Sequence, residues 1–133
     1  MTLVDTNILI DILSNDRIWR RWSVDMMERR SGLGALIITD VVHAELSPGF
    51  DTDNDLDAAL AELGVVLQRI PTQALFLAGQ VFARYRRGGG KASTVLADFF
   101  IGAHAQVGRL TLLTRDARRY RVYFPEVNLI TSE

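Results

Sequence analysis

Two rhythms of apolar positions alternate along the chain. Short, nearly unbroken apolar runs (Thr2-Leu3-Val4, Leu36-Ile37-Ile38, Val65-Val66-Leu67 and Leu110 to Leu113) are each followed by a stretch in which apolar side chains return at helical spacing. An unbroken run marks a strand covered on both faces, and the helical repeat marks an amphipathic helix laid against the sheet. After the first run, Ile8, Leu9, Ile12 and Leu13 predict a short helix over 7–13, broken by Ser14 and Asn15. Asp16 to Arg30 reads as a second helix with Ile18, Trp19, Trp22 and Met26 on one side, as core anchors or a partner groove. Thr39 can cap a helix over Asp40 to Leu46, which Ser47-Pro48-Gly49 ends.

Thr52 and Asp55 resemble a capping box for a helix carrying Leu56, Leu60 and Leu63, closed by Gly64. Pro71-Thr72 opens a long helix with Ala74, Leu75, Ala78, Val81, Phe82 and Tyr85 inward and Arg84, Arg86 and Arg87 in its last turn. Ser93 or Thr94 is the expected cap of a helix from Val95 to about Val107. A fourth strand, one helical turn over Ala117 to Arg121 and an edge strand over Val127 to Ile130 complete the chain. Strand alternating with helix implies right-handed crossovers and a three-layer α/β/α sandwich around a central, mostly parallel sheet of four to five strands. The 133 residues make one such domain, 1–133.

Composition narrows the chemistry. With 48% hydrophobic residues and no long charged tract, the chain is globular. There is no cysteine, which excludes disulfides, thiolate metal sites and thiol nucleophiles together. No leader or membrane span is legible, so the cytoplasm is the expected compartment. The net charge of −1 argues against a generic nucleic-acid binder, yet every basic residue except Lys91 is arginine, which suits bidentate contact with phosphate or carboxylate. Gly88-Gly89-Gly90-Lys91 invites comparison with a phosphate-binding loop, but it follows a helix, and Tyr85 and Ala92 stand where that motif needs glycine and a hydroxyl residue.

The expected topology gathers four acids. Asp5 ends the first strand and Asp116 follows the fourth, while Glu45 and Asp98 lie early in helices that start from the same edge. Each like-charged pair at 4 Å costs about 4 kcal/mol at an effective dielectric of ~20, so such a cluster calls for a compensating cation. An all-oxygen donor set selects Mg²⁺, with Mn²⁺ as substitute, and Mg²⁺ held by carboxylates and water typically acts on phosphate esters. His43 and His104 do not share a helix face with the neighbouring acids and are read as packing or interface residues.

Asp5-Thr6-Asn7 after a hydrophobic strand, Glu45, the segment Asp98-Phe99-Phe100-Ile101-Gly102-Ala103, and Thr114-Arg115-Asp116 resemble the four motifs of PIN-domain ribonucleases. More narrowly, the chain is similar to the VapC toxins of bacterial toxin–antitoxin pairs. The resemblance implies a PIN-like fold and a Mg²⁺-dependent endoribonuclease with Asp5, Glu45, Asp98 and Asp116 as its acidic site. Asp5, Asp98 and Asp116 are the expected metal ligands, Glu45 binds metal or orients the attacking water, and Asn7 and Thr114 are supporting polar groups. It also implies an RNA substrate, a small VapB-like antitoxin as partner, and a homodimer. Arg86, Arg87, Lys91 and Arg115 are the candidates for RNA-backbone contact; Trp19, Trp22 and the Leu56 to Leu63 segment are candidates for a partner surface. Two other readings stand beside it: a PIN-like domain that binds without cleaving, and a phosphoreceiver-like signalling module. The second fits less well, since Thr6 follows Asp5 where that class wants another acid.

Overall fold

The structure is a computed structural model that describes residues 1–91 and 95–132. The expected cap at Ser93 or Thr94 lies outside the described residues. Strands β1 (Thr2–Val4), β2 (Leu36–Ile38), β3 (Val65–Leu67), β4 (Thr111–Leu113) and β5 (Leu129–Ile130) form one sheet in the order β3-β2-β1-β4-β5. Every pairing is parallel, with Leu3 opposite both Ile37 and Leu112. The intervening helices are α1 (Thr6–Leu13), α2 (Arg20–Ser31), α3 (Asp40–Leu46), α4 (Asp53–Leu63), α5 (Thr72–Arg87), α6 (Leu96–Gly108) and α7 (Arg118–Tyr123), with a 3-10 turn at Ser47–Gly49.

Strand order dictates the layers. The chain steps from β1 outward to β2 and β3, then returns past β1 to β4 and β5. Because parallel crossovers are right-handed, that reversal puts the helices of the two halves on opposite faces of the sheet. It also makes the β1–β4 seam a topological switch point, and such sheets bind ligands in the crevice outside the carboxyl ends of the strands there. Asp5 and Thr114 are the residues that follow β1 and β4 at that seam.

The core is apolar on both faces: Leu3, Val4, Ile37, Ile38, Leu112 and Leu113 are buried with Ile8 and Leu9 of α1, Leu56 and Leu60 of α4, and Phe99 and Ile101 of α6. Leu56 and Leu60 are thus core side chains, not a partner surface. An aromatic cluster joins α5, α6 and α7, with Phe99 at 5.3 Å from Phe82 and Tyr123, 5.1 Å from Tyr85 and 6.1 Å from Phe124. Gly102 admits this packing, since a Cβ there would meet the Phe124 ring at 2.3 Å.

Three boundaries differ from expectation. Helix α2 starts at Arg20 instead of Asp16, because the Asp16 carboxylate accepts from the amides of Ile18 and Trp19 and closes a turn before the helix. Ile18 consequently lies outside the helix and is 80% exposed, not inward. Strand β4 starts at Thr111, because the Leu110 amide donates to the Ala105 carbonyl and finishes α6, and β5 is shortened because the Val127 amide turns back to Phe124. In the glycine loop, the amides of Gly88, Gly89 and Gly90 donate to the carbonyls of Arg84, Arg86 and Tyr85. These donors close the end of α5 and do not form a phosphate cradle. Gly90 is needed for contact with the Tyr85 ring, which a Cβ would meet at 2.4 Å.

Candidate active site

Asp5 follows β1 directly and caps α1. Its Oδ1 accepts from the Thr6 amide at 2.7 Å, satisfying one of the helix's free amino-end donors. Its Oδ2 accepts from the hydroxyl of Thr114 at 2.8 Å, from the hydroxyl of Tyr120 at 3.0 Å and, more loosely, from Asn7 Nδ2 at 3.5 Å. The side chain is only 5% exposed. Burial pushes its carboxyl up to about 6, and Asp98 adds to the rise; the bonds from Thr114, Tyr120 and Thr6 act against it. The helix cap therefore falls on Oδ1 and the three side-chain donors on Oδ2.

The supports around Asp5 interlock. Asn7 Nδ2 donates to Thr114 Oγ1 at 3.2 Å, and Asn7 Oδ1 accepts from the Arg115 amide at 3.2 Å. The Asp116 amide donates to Thr114 Oγ1 at 3.1 Å. Asn7 and Thr114 thus tie the start of α1 to the turn after β4. Glu45 is fastened to the same end of β1, since Thr6 Oγ1 donates to its Oε1 at 2.6 Å, although Glu45 itself is exposed.

The other two acids are more open. Asp98, in the first turn of α6, pairs with Arg119 at 2.5 Å, and its side chain is 32% exposed. Burial raises its carboxyl above the usual range, Arg119 pulls it down, and Asp116 raises it again. Asp116 is 57% exposed and faces Arg118 at 3.5 Å. Tyr120 stands between these groups. It is buried, and its hydroxyl is pushed well above its ordinary value by burial and by the charges of Asp5, Asp98 and Glu45, so it remains a proton donor across the accessible pH range. Tyr120 also favours the charged form of Asp98. Its one proton goes to Asp5, where the geometry is explicit.

At the carboxyl edge of the sheet Asp98 is within electrostatic reach of Asp5 and of Asp116, and Tyr120 feels the charges of Asp5, Asp98 and Glu45. Among the described residues no three of the Asp, Glu and His side chains already converge as a finished cation cage. The donor chemistry nevertheless fits Mg²⁺, which is usually held by one or two carboxylates and several waters. Among the described residues Asp5 Oδ1 accepts one hydrogen bond, leaving it a lone pair for a cation.

Tyr120 and Arg119 contact the site without any signal in the sequence, and Asp11, outside the site, has a partner the sequence does not announce. Tyr120 and Arg119 lie in the short α7, where no periodic signal pointed at Asp5 or Asp98. Asp11, buried on α1, takes the guanidinium of Arg115 through two hydrogen bonds, Nε to Oδ2 at 2.6 Å and Nη2 to Oδ1 at 2.8 Å. Arg115, expected as an RNA contact, therefore has its charge engaged inside the fold. Arg86, Arg87 and Lys91 are exposed, at the end of α5 and just beyond it. His104 is fully buried and bonds Gln68 through Nε2 at 3.0 Å, a packing role as expected, and His43 is half-buried.

A parallel five-stranded sheet with carboxylates gathered at its switch point defines the class, and comparison with known proteins names it. The PIN domain family model matches residues 2–125, and the chain belongs to that family. No curated protein matches the sequence. Among solved structures, the chain is similar to VapBC-1 from nontypeable Haemophilus influenzae (17% identity, TM-score 0.73, covering 98% of this chain and 96% of that one). It is also similar to VapBC2 from Rickettsia felis bound to a DNA fragment from their promoter (16% identity, TM-score 0.72, 99% and 98% covered). A third is a toxin–antitoxin complex from Klebsiella pneumoniae (23% identity, TM-score 0.70, 98% and 97% covered).

Proposed function

We propose that this PIN domain is a Mg²⁺-dependent endoribonuclease and the toxin of a type II toxin–antitoxin pair. The observation that carries the reading is the buried Asp5 carboxylate at the β1–β4 switch point, held by Thr114, Tyr120 and Asn7, with Asp98 near enough to raise its pKa and Glu45 tethered to the adjacent Thr6. Asp5, Asp98 and Asp116 would hold the cation, directly or through water. When bound, Mg²⁺ would activate water and neutralise charge developing on the phosphoryl oxygens.

The chain's own groups do the rest. Thr114 and Tyr120 donate to the Asp5 oxygen that points away from Thr6, which fixes the carboxylate's rotation. Glu45, tethered by Thr6, binds metal or orients the attacking water. Arg119 pairs with Asp98 at the rim, so a cation held by Asp98 would compete with that guanidinium, which could then serve a phosphate instead. Water would attack the phosphorus in line and lose its proton to solvent, the new P–O bond forming as the bond to the 3′ oxygen breaks and that oxygen takes a proton from solvent, with no covalent enzyme intermediate. A small VapB-like antitoxin, a homodimer and a cytoplasmic location complete the proposal. The partner is supported by the fold's similarity to proteins solved as VapBC complexes, and the location is compatible with the finding that no described helix is long and apolar enough to cross a membrane.

The test is cleavage of single-stranded RNA by the purified chain with chelator, then with Mg²⁺ restored, alongside folded Asp5→Asn and Asp98→Asn variants. The expected result is Mg²⁺-dependent cleavage reduced about 10²-fold or more in each variant, a loss of roughly 3 kcal/mol of transition-state stabilisation. Cleavage by the variants at the parent rate would overturn the assignment.

A further inference from the structure

We propose that Asp11 and Arg115 form a positioning latch that sets Asn7, and through it the Asp5–Thr114 half of the active site. The inference rests on the nuclease reading for its consequence, but not for its geometry. Asp11 is 2% exposed and belongs to no catalytic set. Its carboxylate is met by three donors: Ser23 Oγ at 2.7 Å from α2, and the two guanidinium nitrogens of Arg115, 104 residues away, at 2.6 and 2.8 Å. The guanidinium also lies over the Trp19 ring, 4.8 Å from its centroid. A planar fork held on both carboxylate oxygens and stacked on an indole has little freedom left.

Fixing the Arg115 side chain fixes its backbone. That backbone amide donates to Asn7 Oδ1, so the orientation of the Asn7 amide group is dictated from the Arg115 side. With Oδ1 so engaged, Nδ2 is turned toward Thr114 Oγ1 and Asp5 Oδ2. The neighbours of Arg115 share the consequence, because Thr114 donates to Asp5 and Asp116 is an acid of the site. The latch thus clamps α1, α2 and the β4–α7 turn together, and the turn presents two site residues. Groups one shell out from metal ligands typically change affinity or activity by about 10–100-fold when removed.

The experiment uses the full chain with Arg115→Lys, which keeps the charge and loses the fork, Asp11→Asn, and Asp11→Ala. In metal-free protein, the Asn7 side-chain NH₂ signals in ¹⁵N-resolved NMR should move and exchange faster with solvent in all three, most in Asp11→Ala. Mn²⁺ titration calorimetry should show affinity weakened about 10–100-fold, with kcat for RNA lowered in proportion and KM little changed. Asn7 signals that stay in place overturn the latch. So do variants that lose only thermal stability while Mn²⁺ affinity and the kcat–KM balance stay at parent values. If Asp11→Ala does not fold, Arg115→Lys decides, because that side chain is 26% exposed and its loss leaves no hole in the core. A parent that neither binds Mn²⁺ nor cuts RNA defeats the nuclease reading alone, and the Asn7 signals still decide the latch.

Discussion

Two of the arginine–aspartate pairs among the described residues have nearly equal length and opposite character. Arg115 meets Asp11 at 2.6 Å with the carboxylate 2% exposed, a second hydrogen bond, a serine and an indole in support. Arg119 meets Asp98 at 2.5 Å with both side chains about a third exposed, 31% and 32%. The first pair is embedded in structure, and the second lies open to solvent at the rim of the site. Distance alone does not separate them; burial and the number of further partners do. A buried carboxylate deprived of its partner has nowhere to recover solvation, whereas a rim carboxylate can take water or a cation instead.

The sharpest way to break this contrast is Arg115→Ala. It strands the Asp11 charge and should lower unfolding free energy by about 4 kcal/mol in urea titration. A loss of under about 1 kcal/mol would make the two pairs equivalent and remove the distinction.

A nearly as large effect belongs to Asp5, whose carboxyl is pushed up from 3.8 to about 6. Its protonated form is favoured in the folded state, so the stability it contributes is full below about pH 4 and is lost as pH rises through about 6. In metal-free buffer, wild-type stability should therefore fall relative to Asp5→Asn between pH 4 and pH 7, by about 3 kcal/mol. A constant difference across that range would show that Asp5 does not carry the burial penalty. At subsaturating Mg²⁺ the same ionisation should give activity a rising limb centred near pH 6.

Arg119→Ala should have the smallest effect. Stability should change by about 1 kcal/mol or less, and Mn²⁺ affinity should rise up to about fivefold as Asp98 loses a competing cation. Weaker Mn²⁺ binding would mean that Arg119 holds Asp98 in place for the metal instead of competing with it.

The same contrast explains what was legible in the sequence. Strands and helices rest on local periodicity, so β1 through β3, α3 and α5 fall where Leu3, Ile37, Val65, Val42 and Ala78 indicate. The edge on which Asp5 and Thr114 follow β1 and β4 is legible because a parallel alternation sends strand carboxyl ends and the following helix starts to one side. The start of α2 was not, because Asp16 gives its carboxylate to the Ile18 and Trp19 amides, a local competition that helical spacing does not register. Arg115 reads as an exposed cation in sequence. Its partner Asp11 is 104 residues distant, and nothing in either neighbourhood announces the match. Tyr120 was missed for the same reason: its place beneath Asp5 depends on how α7 packs after a turn, 115 residues from the carboxylate.

The most direct measurement is the anomalous signal of Mn²⁺ in a crystal of the metal-soaked protein. The account predicts a peak about 2.0–2.3 Å from a carboxylate oxygen of Asp5, completed by waters and other acids of the edge, with Asp98 released from Arg119 and Asp11 still on Arg115. A fully occupied Mn²⁺ elsewhere, with Asp5 unliganded and Asp98 still paired to Arg119, would contradict it.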